Sequence, residues 1–420
     1  MDAVNWDWSE GKKEIVNLAP AREKYKELHE FTVSPDGERI AAPAKLKDDT
    51  FTAMVSDGDW GEPVELLWSL RFGPLGQLIA LVRIDDEWTL SLEGKPWESR
   101  FEYCWNPQFS GNGKTVGLAM KQMMEYALVI NDKPWETKFA ALRDFALSHD
   151  GAHAAVTVQV DPLGEADTET YRKGVWSVAV DGRPWDEKFI NTWDPIFSRD
   201  GSRVAAQVRP AMTEYTIAVD GKSWSRHYGC VWEVRFRGDS DQVIAPVKAD
   251  GGWTLAQDGS LLWQRRYTQL YYPTVSPDGN RIAAAAAPEY GMWTIILDDH
   301  PMKWRVKDML LQPRFSPDGA RVAALVKDDD KWSIAVDNQV WPSRFAMLWD
   351  PVFSPDGSHV AAKAEIDGKY QLVIDGRVKG PAYNMMWDPM FSPDGGKILL
   401  RYVIDDKYCR EVVSISGLSS

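Results

Sequence analysis

Apolar positions in this chain fall into short runs bounded by turn residues, and the runs return at a nearly fixed interval. One copy reads Pro313-Arg314-Phe315, then Ser316-Pro317-Asp318-Gly319, then Arg321-Val322-Ala323-Ala324-Leu325-Val326-Lys327, then the polar Asp328-Asp329-Asp330, then Lys331-Trp332-Ser333-Ile334-Ala335-Val336. The last run alternates apolar and polar residues, the period of a strand. Ser-Pro-Asp-Gly predicts a tight turn, because Pro presets φ at its second position and Gly tolerates φ > 0 at its fourth. Asp337-Asn338 is a second hairpin signal, matched by Asp181-Gly182, Asp220-Gly221, Asp258-Gly259 and Asp375-Gly376. The unit therefore reads as four strands, a to d, with a short strand a before the turn and strand d through Trp341-Pro342-Ser343-Arg344-Phe345-Ala346. No segment sustains a helical period beyond about two turns.

The turn serine, or its equivalent, falls at Ser34, Gly73, Ser110, Ser148, Ser198, Arg237, Ser276, Ser316, Ser354 and Ser392. Nine steps separate ten copies; eight are 37 to 40 residues and one is 50. That period with β patterning predicts an all-β fold, a β-propeller of about ten four-stranded blades. The last copy stops after its third strand, whereas Lys13-Glu14-Ile15-Val16-Asn17-Leu18 and Glu23-Lys24-Tyr25-Lys26-Glu27-Leu28 read as the outer part of a blade. The N-terminal strand is therefore expected to complete the last blade and close the ring, which removes exposed sheet edges. Two five-bladed propellers in tandem share the same period. Small residues in strand b, such as Ile282-Ala283-Ala284, let sheets approach closely and favour the single ring. The expected organisation is one array over 1–420, with a split near 210 as the alternative. The long step comes from an acidic insertion, 161–173, between strands b and c of the fourth copy. Inserted loops on a rigid scaffold often carry function.

Composition narrows the role. A net charge of −14 and a pI near 5.0 weigh against nucleic acid and anionic membrane surfaces as partners. Three dispersed cysteines, Cys104, Cys230 and Cys409, form no metal or haem motif and fit a reducing compartment. The first ten residues are acidic and carry no apolar run, and no window approaches a bilayer-spanning length. These features predict a cytoplasmic protein without direct membrane insertion.

The chain has 21 tryptophans, and 19 of them fall into three registers. One begins strand c (Trp88, Trp176, Trp253, Trp293, Trp332), and one follows the c–d turn (Trp60, Trp97, Trp135, Trp185, Trp224, Trp263, Trp304, Trp341). A residue that recurs once per blade is first a packing residue. The third register precedes strand a: Trp68, Trp105, Trp193, Trp232, Trp349 and Trp387. In a propeller that d-to-a connection borders the central channel. Trp105, Trp193, Asp194, Trp232, Trp349, Asp350, Trp387 and Asp388 are thus candidates for partner binding, as aromatics with adjacent acids. The same pairs suit a carbohydrate platform. No nucleophile elbow, Walker loop, zinc-protease helix or dinucleotide fingerprint is present. The aspartates of the Ser-Pro-Asp-Gly turns read as turn caps, not calcium ligands. No catalytic group, metal or cofactor is expected.

The set Phe-Ser-Pro-Asp-Gly-x-Arg-Val-Ala-Ala resembles the WD40-like repeat of TolB-type propellers, which is a statement about fold. Tryptophans such as Trp185, Trp341 and Trp387 once or twice per repeat, over about 420 residues without a cofactor motif, resemble the tryptophan-rich D subunit (TmcD) of the transmembrane electron-transfer complex of sulfate-reducing bacteria. That resemblance implies a cofactor-free cytoplasmic scaffold held beside the iron–sulfur and haem subunits of a redox complex. Its alternative is a carbohydrate-binding or carbohydrate-active propeller.

Overall fold

The Ser-Pro-Asp-Gly turn works through its side chains as well as its backbone. Ser354 Oγ donates to Asp356 Oδ1 at 2.6 Å and accepts the His359 N–H at 2.9 Å. Asp356 Oδ1 also accepts the Ser358 N–H at 3.1 Å, and the Gly357 N–H closes the turn on the Ser354 carbonyl. Asp356 is a turn cap, as its sequence context predicts. Gly357 has φ of 68°, and a Cβ there would lie 3.1 Å from Asp318 Oδ1 of the preceding blade. Only glycine satisfies both conditions.

Ten copies of this hairpin grow into ten antiparallel sheets, each ordered a–b–c–d. The computed structural model describes residues 5–164, 167–238 and 240–418. Residues 1–4, Glu165 and Ala166 of the insertion, Asp239 of the sixth turn and residues 419–420 lie outside the described residues. The fold is a β-propeller of ten four-stranded blades. Strand b is buried on both faces, as in Ile282–Glu289 of blade seven, whose first six residues are all buried. This explains its lack of alternation. The apolar wedge between blades is dense: Ile79, Leu81, Leu90 and Phe101 of blade two pack with Cys104, Leu118 and Met120 of blade three. Burial pushes the Cys104 thiol up to about 12, so it behaves as a small apolar side chain.

The last blade takes its outermost strand, Gly11–Asn17, from the N-terminal end, against Lys407–Ser414. A tandem pair of five-bladed rings would put that strand in the fifth sheet; it is in the tenth. Leu18 N–H bonds the Asp406 carbonyl at 2.7 Å, and Lys407 Nζ meets Glu14 at 2.9 Å. The buried Tyr408 hydroxyl donates to the Gly37 carbonyl of the first blade at 2.9 Å.

By compactness the chain divides into two units. One holds 13–204 with 404–410 and the segment up to Trp6; the other holds 205–403 with 7–12 and the segment from 411. The first contains blades one to four and the first strand of blade five. The second contains the rest of blade five and blades six to nine with most of blade ten.

Three local expectations change. Residues 23–28 are not the outer part of a blade: Ala19–Lys24 is a short helix opened by Pro20, and Glu27–Leu28 pairs with Ile40–Lys45 as part of the first strand of blade one. Strand d is mostly a two-residue strand such as Gln339–Val340, followed by a single bridge, here Phe345 to Trp332. Trp341-Pro342-Ser343 lies between them, since Pro342 has no N–H for a ladder. Within the insertion, Thr168–Lys173 is helical, capped by Asp167 accepting the Thr170 N–H at 3.0 Å.

Candidate interaction surface

Strand a is longer than its sequence predicts, and it is interrupted. In blade three Tyr103–Phe109 pairs with Val116–Gln122 throughout, but the register shifts between Trp105 and Gln108. Asn106 takes φ of 50° in that bulge, a conformation Asn and Asp tolerate. Pro107 follows, where no ladder N–H is needed. Asp194 does the same at φ 46°. In blades eight, nine and ten the interruption splits the strand in two, as in Met347–Leu348 and Val352–Phe353. The Trp349 and Trp387 N–H groups still bond strand b, at the Lys363 and Arg401 carbonyls. So the third-register tryptophans, Trp105, Trp193, Trp232, Trp349 and Trp387, do not lie in a d-to-a connection. Trp105 and Trp193 sit inside the first strand, and Trp232, Trp349 and Trp387 sit at its interruption with their N–H groups still bonded to strand b; Trp-Asn/Asp-Pro is a bulge signature rather than a linker.

Their environments differ. Trp232 is exposed, while Trp105, Trp193, Trp349 and Trp387 are half-buried. Asp194, Asp350 and Asp388 are exposed, and the partners of Asp350 and Asp388 are cationic. Asp350 pairs with Arg314 at 2.5 Å. Lys363 reaches Asp388 at 3.5 Å and lies 4.3 Å from the centre of the Trp349 ring. The acids beside Trp349 and Trp387 are thus partly neutralised within the fold.

Pairing brings the third register onto the first. In the first unit Trp68 contacts Trp88 at 4.5 Å between ring centres, Trp88 meets Tyr103 edge-on at 6.0 Å, Tyr103 stacks on Trp105 at 5.7 Å, and Trp105 meets Tyr126 at 6.1 Å. In the second unit Trp232 stacks on Trp253 at 5.9 Å, and Tyr271 bridges that pair to Trp293. Such offset and edge-on contacts are favourable ring geometries. Blade four breaks the series: Arg143 takes the tryptophan position, lies 3.7 Å from the Trp176 ring centre and donates to Asn191. The second register stays structural. Trp60, Trp224, Trp263 and Trp341 are buried, and Trp304 Nε1 donates to the Asp337 carbonyl of the next blade.

The two ends of the blades carry opposite chemistry. At the end formed by the a–b and c–d turns, arginines tie neighbours together. Arg321 holds Asp337 at 3.0 Å and the Gly357 carbonyl of the next blade at 2.9 Å; Arg281 reaches Asp298 and the Ala320 carbonyl in the same way. At the end formed by the b–c hairpins and the start of strand a, large apolar side chains are exposed. Among the described residues, ten of the eleven exposed large hydrophobics lie at this end, five in each unit; Leu75 is the exception. Trp68, Tyr103, Trp232, Met309 and Met347 are on first strands, Met123, Met124, Met212 and Tyr290 in b–c hairpins, and Leu163 in the insertion. The sequence reading missed the methionines, because single exposed methionines carry no periodic signal.

Two clefts lie at the polar end. One of about 570 Å³ is lined by Arg321, Asp337, Trp341 and Asp375. The other, about 420 Å³, holds His149 and Arg199. Arg321 and Asp337 are already paired with one another in the first. Among the described residues no three His, Cys, Asp or Glu side chains group to hold a metal ion, and no helix is long and apolar enough to cross a membrane.

No family model matches the chain, and no curated protein matches it. Solved structures that resemble it share little sequence. A crystal structure of the eukaryotic initiation factor is 13% identical with a TM-score of 0.49, over 82% of this chain and 95% of that one. One of two prolyl endopeptidases is 12% identical at 0.39, over 80% of this chain and 54% of that one. The Dos1 propeller is 11% identical at 0.35, over 96% and 94%. None of these likenesses bears on activity.

Proposed function

We propose that this chain is a non-catalytic interaction propeller whose b–c blade ends hold protein partners. One observation carries this: exposed large apolar side chains concentrate at that end, on strands whose other faces are locked in the inter-blade core. Apolar surface of this kind, rimmed by polar residues, marks binding sites. The resemblance to the tryptophan-rich D subunit supports placing the partners in a membrane-associated electron-transfer complex, with this chain on the cytoplasmic side and without a cofactor of its own. Affinity purification of the full chain from its native host in mild detergent is expected to recover subunits carrying haem or iron–sulfur clusters, read by absorbance and mass spectrometry. Recovery of the chain alone would overturn the reading. The carbohydrate alternative draws on the same Trp68 and Trp232 surfaces. Against it, the carboxylates beside Trp349 and Trp387 are engaged by Arg314 and Lys363. A thermal shift with any member of a glycan panel would favour it instead.

A further inference from the structure

The b–c hairpin of blade three departs from its siblings. Blades two, eight and ten place Asp85-Asp86, Asp329-Asp330 and Asp405-Asp406 in this turn, all with positive φ. Blade three places Met123 and Met124 there, at φ of 48° and 64°. Unbranched apolar side chains gain nothing locally from that conformation, whereas Asp and Asn cap it. Both methionines are also turned to solvent, 78% and 71% exposed. A strained turn that displays two flexible apolar side chains is costly for the fold alone, and methionine surfaces adapt to varied partners.

The hairpin sits beside the aromatic chain of the same unit. Lys121, two residues before Met123, pairs in register with Tyr103, and the Glu102 N–H bonds the Gln122 side chain at 2.9 Å. Tyr103 leads through Trp88 to Trp68. The strip is edged by exposed carboxylates: Glu65, Asp85, Asp86 and Glu87 on blade two, Glu102 and Glu125 on blade three. Arg83, Lys121 and Lys138 oppose them; Arg83 is already shared between Glu65 and Asp86, and Lys138, which faces Glu125, donates to the Trp135 carbonyl.

We infer that the b–c end of blades two and three binds a cationic amphipathic segment of a partner protein, its apolar side on Met123, Met124, Tyr103 and Trp68 and its basic side on the surrounding carboxylates. This rests on the reading of the b–c ends as the partner face, and it commits to one patch and one ligand chemistry. The acidic rim disfavours an anionic lipid surface at the same place.

The test uses the full chain and three probes: a helical 16-residue peptide of leucine and lysine, its leucine–glutamate counterpart, and phosphatidylglycerol vesicles. Fluorescence anisotropy is expected to show the lysine peptide binding about tenfold or more tighter than the glutamate peptide. Met123→Ser with Met124→Ser should weaken it about tenfold, while Leu75→Ser, at the opposite end of blade two, leaves it unchanged. Glu102→Lys with Glu125→Lys should narrow or invert the preference between the peptides. All these side chains are exposed, and circular dichroism confirms that each variant is folded. Undiminished binding in the Met123/Met124 variant overturns the inference even when redox subunits co-purify. So does equal loss in the Leu75 control, or tighter binding to the vesicles than to the lysine peptide. Selective loss at the strip supports it even when the chain is recovered from its host alone.

Discussion

At the scale of single residues, the turn aspartates contribute to how the protein meets acid. Hydrogen bonds from the turn serine, and then from the following residues, hold Asp200, Asp278 and Asp356 at about 2, below the ordinary carboxylate range. A group whose folded pKa is depressed contributes stability that is fully present above its unfolded value, near 4. That contribution is lost as pH falls from there through about 2. The urea midpoint should therefore drop steadily between about pH 4 and 2, and Ser276→Ala with Ser354→Ala should flatten the drop. Gly357→Ala should cost about 1–2 kcal/mol in urea denaturation, because alanine must take a left-handed φ and approach Asp318. Met123→Asp with Met124→Gly should move the other way, stabilising by about 1 kcal/mol in the same assay. A gain there would mean the native residues are retained at the expense of stability.

At the scale of elements, the arginine ties and the buried strand b hold neighbouring blades together by different means. Arg321→Ala removes a partly exposed ion pair and a carbonyl contact, and should cost about 1 kcal/mol in urea. Leu118→Ala, at a fully buried position in strand b of blade three, should cost about 2–5 kcal/mol. The elements also show where the sequence was legible. Ser-Pro-Asp-Gly and Asp-Gly specify their turns through local chemistry, so the hairpins and the period were readable. The interruption of strand a was not. Asp350-Pro351 and Asp388-Pro389 look like loop residues, yet here they form a two-residue break flanked by pairing on both sides. The start of Ala19–Lys24 was missed although Pro20 and the final Arg22 and Lys24 are ordinary helix signals. For the surface, the tryptophan registers were visible as periodicity, whereas their merger into a run of ring contacts within each unit depends on which strands pair. The ion pairs of Asp350 and Asp388 depend on neighbouring blades and strands that no local window contains.

At the scale of the whole molecule, the fold is closed by pairing the two ends of the sequence in one sheet. Deleting residues 5–18 would leave Lys407–Ser414 as an unprotected edge of exposed backbone groups. The truncated chain should lose its single cooperative thermal transition and enter higher-mass species on size-exclusion chromatography.

That closing strand also sets an order of events in synthesis. Glu14 and its partner Lys407 are 393 residues apart. At roughly 5–20 residues per second, Gly11–Asn17 leaves the ribosome on the order of 20–80 s before its partner strand exists. Its composition suits the wait: Lys12 and Lys13 lie among mostly exposed positions, and only Ile15 and Val16 are apolar. A nascent strand of this kind stays solvated without seeking a neighbour, so the blades between can form first and the clasp can fasten last.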